Sequence, residues 1–192
     1  MPVISVTLLP GYTPEVQARL VSHLSAAARS VVPASEAGTI VFVYEASTFR
    51  RDGRVLTGGD GATALPDAGE VVRRFLDAVG RRDVDAARPW LAPGFEMVFP
   101  GGARMRDLAE LPAWAATRYQ SVSKHYERFE QAWQGDRTVV FCSGTLQGRW
   151  LDGSDFEGIR FVDRFELAGG RIHRQEVWND LAEARAGRPA GA

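Results

Sequence analysis

Apolar and polar residues follow a strand, helix, strand order over the first 44 positions. Apolar residues cluster at residues 3–9 and again at 39–44, and each cluster predicts a buried strand. Between them, residues 13–31 carry apolar side chains at the spacing of one helix face, after a start signal in which Thr13 is the N-cap and Pro14 the first helical residue. The pattern predicts a βαβ unit.

A stretch of small residues rich in glycine follows this unit. Residues 57–64 contain almost no bulky apolar side chain, which is typical of a flexible linker, and we place this linker at residues 55–66. Regular periodicity resumes afterwards. We therefore expect a first domain at residues 1–54, a second domain at residues 67–184 and a disordered tail at residues 185–192.

The second domain places its helical signals before its strand signals. Asp67 and Asp83 are predicted N-caps of two helices, and Asp107 with Glu110 has the spacing of a capping box at the start of a third. The predicted strands lie at 95–99, 123–134, 137–149 and 157–181, the last folded into a hairpin at 168–170. This order predicts an α+β fold, three helices on a curved antiparallel sheet shaped like a cone.

Pro2 follows the initiator methionine directly, so removal of Met1 would leave a secondary amine at the N-terminus. An α-amino group has a pKa near about 7.7–8.0 in model peptides, which lies in the working range of a general base. The alternative is an exposed terminus without a chemical role. Both interpretations are open from Pro2 alone.

Residues 2–54 resemble the 4-oxalocrotonate tautomerase family, whose subunits begin with a catalytic proline on the first strand. The resemblance implies keto–enol tautomerisation, with the Pro2 nitrogen moving a proton between two carbons. Two positions depart from the family pattern, because Tyr12 and Ile40 stand where well-known members carry substrate-binding arginines.

Replacement groups follow the second predicted strand. Phe49 matches the place where the family has an aromatic residue in the pocket wall, and Arg50 and Arg51 are candidates to polarise a carbonyl or hold a carboxylate. A solvated basic linker is the alternative interpretation of these arginines.

The second domain resembles the nuclear transport factor 2-like superfamily, in particular SnoaL-like and ketosteroid-isomerase-like domains. The resemblance covers about residues 67–184 and rests on segments 71–79, 83–87, 91–95, 170–172 and 178–180. It implies the cone fold, which hosts isomerases, cyclases, hydrolases and proteins without catalysis. Trp178 and Asp180 occupy the terminal strand position where some relatives keep a pocket acid.

Asp163 is the strongest candidate for an acid or base in the second domain. Strand alternation places it on the same face as Phe161 and Phe165, where burial would raise the pKa of a carboxylate. The alternative is a structural ion pair with Arg149 or Arg174.

Composition excludes several classes of function. The net charge is −1, with 45% hydrophobic and 24% charged residues, so there is no basic field for nucleic acid or an anionic membrane. No apolar run approaches a membrane span and no signal peptide is visible, so we expect a cytoplasmic protein. The single cysteine, Cys142, excludes an internal disulfide and is expected in the core.

Motif spacing gives no support for a metal or cofactor, so we expect none. The three histidines lack ligand spacing, and the glycine-rich stretch lacks the frame of a nucleotide-binding loop. Lys124 is the only lysine and therefore the only side-chain amine for Schiff-base chemistry. The free amine of Pro2 is the favoured site for an iminium.

Two hypotheses about function remain. In the first, the protein is a cofactor-independent tautomerase or isomerase that uses Pro2 on a small carbonyl or enol compound, and the cone domain binds the substrate or a following intermediate. In the second, the first domain is a non-catalytic assembly module and the cone domain binds or cyclises an apolar metabolite. A lone βαβ unit leaves apolar surface uncovered, so both predict a homo-oligomer, a dimer or higher.

Overall fold

The computed structural model describes residues 1–51, 53–57 and 64–187, without the side chains of residues 51, 56 and 57. The chain divides into two compact units, residues 1–64 and 65–192. Of the predicted linker, residues 55–57 belong to a strand, and residues 58–63 lie outside the described residues. Residues 185 and 186, the first two of the predicted tail, belong to a helix. Residues 188–192 lie outside the part of the chain that the structure describes.

The first unit contains one long helix and two separate two-stranded sheets. Its elements are β1 (Val3–Leu8), α1 (Pro14–Arg29), β2 (Ile40–Glu45), β3 (Thr48–Arg51) and β4 (Arg54–Thr57). β1 and β2 are parallel, while β3 and β4 form an antiparallel hairpin. Thr13 caps α1, where its side chain accepts a hydrogen bond from the backbone of Val16.

No described side chain of the first unit is buried. Strand alternation turns Ile4, Val6 and Leu8 to the half-buried face of β1. The other face of the β1–β2 sheet carries Val3 and Phe42, which are 58% and 44% exposed, together with Tyr44. A two-stranded sheet with an apolar outer face is marginal alone, and the described residues of this unit leave that face exposed.

The second unit has four α-helices among the described residues, of which the first two begin at the predicted N-caps Asp67 and Asp83 and the last was not predicted. They are α2 (Ala68–Gly80), α3 (Val84–Ala87), α4 (Leu111–Ala116) and α5 (Leu181–Ala186). The capping box predicted at Asp107 and Glu110 is confirmed, although it opens a 3₁₀ turn that leads into α4. No helix in the described ranges has the length and apolar character needed to cross a membrane.

Six strands form the sheet of the second unit. They are β5 (Leu91–Phe99), β6 (Ala103–Met105), β7 (Tyr119–Gln134), β8 (Arg137–Trp150), β9 (Asp155–Ala168) and β10 (Arg171–Asn179), in the order β6-β5-β10-β9-β8-β7. β10 runs parallel to β5, so the sheet is mixed, which corrects the prediction of a wholly antiparallel sheet. The chain returns beside β5 only after the β7–β9 meander, and this long connection permits the parallel pair.

The core of the second unit comprises two apolar clusters. The first lies under α2, where the Phe75 ring packs edge-on against Phe95 and Phe165 with centroid distances of 6.3 and 6.0 Å. The second contains Leu146 and Phe161 at the other end of the inner face of β8 and β9. The strand residues that are buried in either cluster are those that point towards the core.

Gly144 of β8 allows β7 to approach closely. A Cβ at this position would lie 1.9 Å from the backbone carbonyl oxygen of His125, so no other residue fits without movement of the backbone. Gly144 is opposite Tyr126 in the register, immediately before an irregularity in β7 between Tyr126 and Arg128. Gly144 therefore permits the close approach of the β7 backbone to β8 at this point.

Candidate active site

Asp163 lies in the middle of an otherwise apolar strand face. Alternate residues of β9 are buried, and Asp163 has Phe161 on one side and Phe165 on the other. The sequence prediction of this face is confirmed. Phe161 belongs to one apolar cluster and Phe165 to the other, so the carboxylate occupies the boundary between the two. Asp163 itself is 0% exposed.

The partner of Asp163 is Lys124, from the edge strand β7. The Lys124 Nζ donates a hydrogen bond to Asp163 Oδ2 and forms an ion pair with it. Nζ also lies 4.5 Å from the centroid of the Phe161 ring, in a cation–π arrangement. The Lys124 side chain is 23% exposed, so it is the member of the pair that solvent reaches.

An irregular register in β7 brings these inner residues together. Lys124 and Tyr126 alternate onto the inner face before the register shift, and Phe129 lies on that face after it. Strict alternation would turn Phe129 outward. Sequence reasoning noticed Lys124 as the only lysine, but it did not place Lys124 beside Asp163, because the strand pairing and the shift are tertiary features.

Asp163 has one further polar neighbour. The amide Nε2 of Gln175, on β10, lies 3.5 Å from Asp163 Oδ2, which is a long hydrogen bond. The second carboxylate oxygen, Oδ1, is buried and has no hydrogen-bond partner among the described residues. Burial raises the pKa of Asp163, while the charge and hydrogen bond of Lys124 and the hydrogen bond of Gln175 act in the opposite direction.

Two other titratable side chains near the pair remain protonated at neutral pH. Burial, followed by the charge of Asp163, raises the pKa of the Tyr126 phenol, so Tyr126 remains a hydrogen-bond donor. The same two causes raise the pKa of the Cys142 thiol to about 12. Cys142 is in the core as predicted, and its protonated thiol is a poor nucleophile.

The arrangement combines a carboxylate base, an ammonium donor and aromatic walls. A carboxylate with a raised pKa accepts protons more readily, and a nearby ammonium group stabilises negative charge on oxygen. Over residues 1–51, 53–57 and 64–187, no three His, Cys, Asp or Glu side chains converge as metal ligands would. These side chains can accept and donate protons beside apolar aromatic rings.

The arginines considered as partners of Asp163 pair elsewhere. Arg149 donates to Asp155 at 2.8 Å on the exposed part of β8 and β9. Arg174 contacts Glu176 at 3.0 Å and Glu96 at 3.4 Å. Both arginines occupy exposed or half-buried faces, so they do not reach the buried carboxylate.

Trp178 and Asp180, the other predicted pocket residues, do not join the Asp163 site. Trp178 is 52% exposed, because alternation along β10 turns it to the face opposite the buried Val177. Asp180 follows the strand at the start of α5 and accepts a hydrogen bond from Arg160 Nε at 2.7 Å. Neither residue lies beside Asp163, and their role in a pocket of the second domain remains a prediction.

Pro2 lies at the start of β1, and its carbonyl accepts a hydrogen bond from the backbone N–H of Ile40 at 3.1 Å. The structure thus brings together two of the residues predicted for the proline site. Tyr12 is half-buried in the turn before α1, where its carbonyl accepts a hydrogen bond from Gln17 Nε2 at 3.1 Å.

Phe49, Arg50 and Arg51 belong to the β3–β4 hairpin, which is a separate sheet from β1–β2. Phe49 is half-buried and Arg50 is exposed. The side chain of Arg51 lies outside the described part of the structure. Their roles as substitute carbonyl-binding groups remain predictions.

A family model described as SnoaL-like domain matches residues 72–175, which is 104 of the 192 residues and lies within the second unit. A search of curated protein sequences gave no significant match.

Solved structures similar to the second unit share its fold. An NTF2-like protein of unknown function from Burkholderia pseudomallei K96243 is 23% identical, with 63% of this chain and 97% of that chain covered and a TM-score of 0.51. An NTF2-like protein from Burkholderia thailandensis E264 is 21% identical, with coverages of 65% and 100% and a TM-score of 0.53. TerC, crystallised with polyporic acid, is 23% identical, with coverages of 62% and 97% and a TM-score of 0.50. Likeness at this identity establishes the NTF2-like fold.

Replacing Lys124 by methionine tests the ion pair. The substitution retains most of the aliphatic volume but leaves the Asp163 charge buried without its partner. Breaking a buried pair in this way costs roughly 3–5 kcal/mol, and the partial exposure of Lys124 puts the expected loss near the lower limit. The measurement is the free energy of unfolding in urea at neutral pH.

The pH dependence of this loss distinguishes an ion pair from lost packing. Without Lys124, burial raises the pKa of Asp163 further above its ordinary value of 3.8, so the folded variant binds a proton that the unfolded chain has already released. The loss should therefore shrink as the pH falls towards about 4. Arg149→Met, at an exposed pair, should show no such trend. A loss for Lys124→Met that is the same at both pH values would contradict the account.

Proposed function

Because the chain belongs to the family of SnoaL-like domains, we propose that its second unit is an enzyme of the isomerase or cyclase type. Its substrate is an apolar compound with a carbonyl group, and Asp163 and Lys124 carry the reaction. The observation behind this proposal is the Asp163 carboxylate, which is fully buried, joined to an ammonium group through Oδ2 and without a hydrogen-bond partner at Oδ1 among the described residues.

Asp163 acts as the base that removes a proton from the carbon next to the carbonyl. Its Oδ1 has no hydrogen-bond partner among the described residues and is assigned as the proton acceptor; because this oxygen is buried, the side chains around it must move to admit the substrate. Burial raises the pKa of Asp163, which makes the carboxylate a stronger base than an exposed aspartate. The protonated carboxyl then returns the proton to a different carbon in an isomerisation.

Lys124 stabilises the enolate oxygen while the proton is on Asp163. Its ammonium group has three N–H donors, one of which is used by Asp163, so two remain for a substrate oxygen. In a cyclisation the same enolate carbon attacks a second carbonyl of the substrate. An isomerisation and a cyclisation of this kind proceed through the same enolate intermediate. The site therefore supports both classes of reaction.

Asp163→Asn should remove the base and retain the shape of the site. We expect kcat for the isomerisation of 3-cyclohexenone to 2-cyclohexenone, followed by ultraviolet absorbance, to fall about 100-fold or more. In the wild type, kcat/KM should fall as the pH drops through the raised pKa of Asp163, because only the ionised carboxylate accepts the proton. Asp155→Asn, at an exposed carboxylate, is the matched control and should retain activity. Equal activity in both variants would refute Asp163 as the base.

Pro2 is a second candidate, because its place at the start of β1 is fixed by the hydrogen bond from Ile40. In this proposal the first unit is a tautomerase domain, the free prolyl nitrogen is a general base for a small carbonyl or enol compound, and Arg50 or Arg51 holds the enolate oxygen. The cone domain then binds the same compound or a following intermediate.

Pro2→Ala should abolish tautomerisation of phenylpyruvate or 2-hydroxymuconate if this second proposal is correct. The substitution replaces the secondary amine by a primary one while leaving the Asp163 site unchanged. Intact-mass measurement of the cellular protein provides the control, since retention of Met1 would make the Pro2 nitrogen an amide, which is not a base. Activity that survives the substitution undiminished removes the proline mechanism.

We also propose that the chain assembles with further copies of itself through the outer face of the β1–β2 sheet. Val3, Phe42 and Tyr44 are exposed on this face, and the Phe42 and Tyr44 rings are stacked with centroids 6.2 Å apart. No described side chain of this unit is buried, so a second copy would supply the apolar contacts that the single unit lacks.

Light scattering after size exclusion should give a mass of two or more times 21.0 kDa. Phe42→Asp should lower this mass towards that of the single chain, because a charge on the contact face opposes burial. Val55→Asp, at an exposed apolar residue of the β3–β4 hairpin, should leave the assembly intact. A wild-type protein of 21.0 kDa would contradict the proposal.

A further inference from the structure

Lys124 is the only lysine of the chain, and the other 22 of the 23 basic residues are arginines. Ion pairs elsewhere in the second unit use arginine, including Arg104 with Glu96, Arg160 with Asp180 and Arg164 with Glu176. A guanidinium supplies charge and hydrogen bonds as well as an ammonium does. The property that sets lysine apart is that its amine can lose a proton and attack an electrophile.

The surroundings of Lys124 suit such an attack. Asp163 Oδ2 accepts a hydrogen bond from Nζ and is therefore placed to take a proton from it. The Phe161 ring lies beside Nζ, and the Tyr126 ring packs edge-on against Phe161 with a centroid distance of 5.5 Å. These rings form an apolar wall. The Lys124 side chain is 23% exposed, so solvent reaches part of it.

We propose that Lys124 forms an imine with an aldehyde or ketone that carries an aromatic or other apolar group. The inference rests on the proposed function, because it assigns a covalent intermediate and a substrate class to the same site. An iminium also makes the neighbouring carbon more acidic than a carbonyl does, so Asp163 would then remove its proton more readily.

The proton and electron balance closes within the pair. The Lys124 ammonium gives a proton to the Asp163 carboxylate, and the nitrogen lone pair attacks the carbonyl carbon. The C–N bond forms as the carbonyl π electrons move to oxygen, which receives the second proton from nitrogen to give a carbinolamine. The protonated Asp163 gives its proton to this hydroxyl, water leaves as the nitrogen lone pair forms the C=N bond, and the product is an iminium beside a restored carboxylate.

Reductive trapping tests this inference on the full chain. Phenylacetaldehyde is added at limiting concentration with sodium cyanoborohydride, and peptide mapping by mass spectrometry compares labelling at Lys124 with labelling at the α-amino terminus. The terminus is the reference amine in the same molecule. We expect labelling at Lys124 to exceed labelling at the terminus by about tenfold or more, and this preference to disappear in urea, where the site is unfolded.

Variants separate the imine from a simple surface reaction. Asp163→Asn, once circular dichroism shows that it is folded, should slow labelling at Lys124 about tenfold or more, because the proton acceptor is lost. Asp155→Asn should label as the wild type does. Labelling confined to the terminus, or a Lys124 preference that persists in urea, would overturn the inference.

The two proposals fail in different ways. If Lys124 is not labelled but Asp163→Asn still loses isomerase activity, the imine is wrong and the noncovalent mechanism stands. If Lys124 is labelled through the folded site while Asp163→Asn retains isomerase activity, the imine stands and the role of Asp163 as the carbon base is wrong.

Discussion

The ion pair between Lys124 and Asp163 is the constraint on which the interior of the second unit depends. A fully buried carboxylate between two apolar clusters is costly to desolvate, and its only charged partner in the described structure is an amine from the edge strand. Replacing such a pair by apolar side chains is often neutral or stabilising in proteins. The pair is therefore consistent with the proposed chemistry at the site.

Formation of the pair depends on backbone features some distance from it. Gly144 lets β7 approach β8, and the register shift after Tyr126 keeps the inner face of β7 aligned with the sheet. Burial of Phe161 and Phe165 then fixes the orientation of Asp163 between them. The same packing raises the pKa of the carboxylate, so the geometry of the fold and the basicity of the site have a common origin.

Much of the fold follows from local sequence signals, and less of the site does. Alternation along β9 predicts that Asp163 points inward, and the capping signals at Asp67 and Asp107 predict where helical structure begins. The same alternation did not identify the partner of Asp163, since Lys124 is 39 positions away and meets it only across three strands. The sequence did not predict the exposure of Trp178, because the face on which each β10 residue lies depends on the irregular pairing of that strand with β5 and β9.

The most direct test of this account uses the fact that the chain has a single lysine. Protein labelled with ¹³C at lysine Cε gives one side-chain signal, which reports on the charge of the group that Lys124 contacts. We predict a step in its chemical shift as Asp163 titrates, with a midpoint above 3.8, and no step in Asp163→Asn. A Lys124 signal that shows no step over this range, or the same step in Asp163→Asn, would contradict the account.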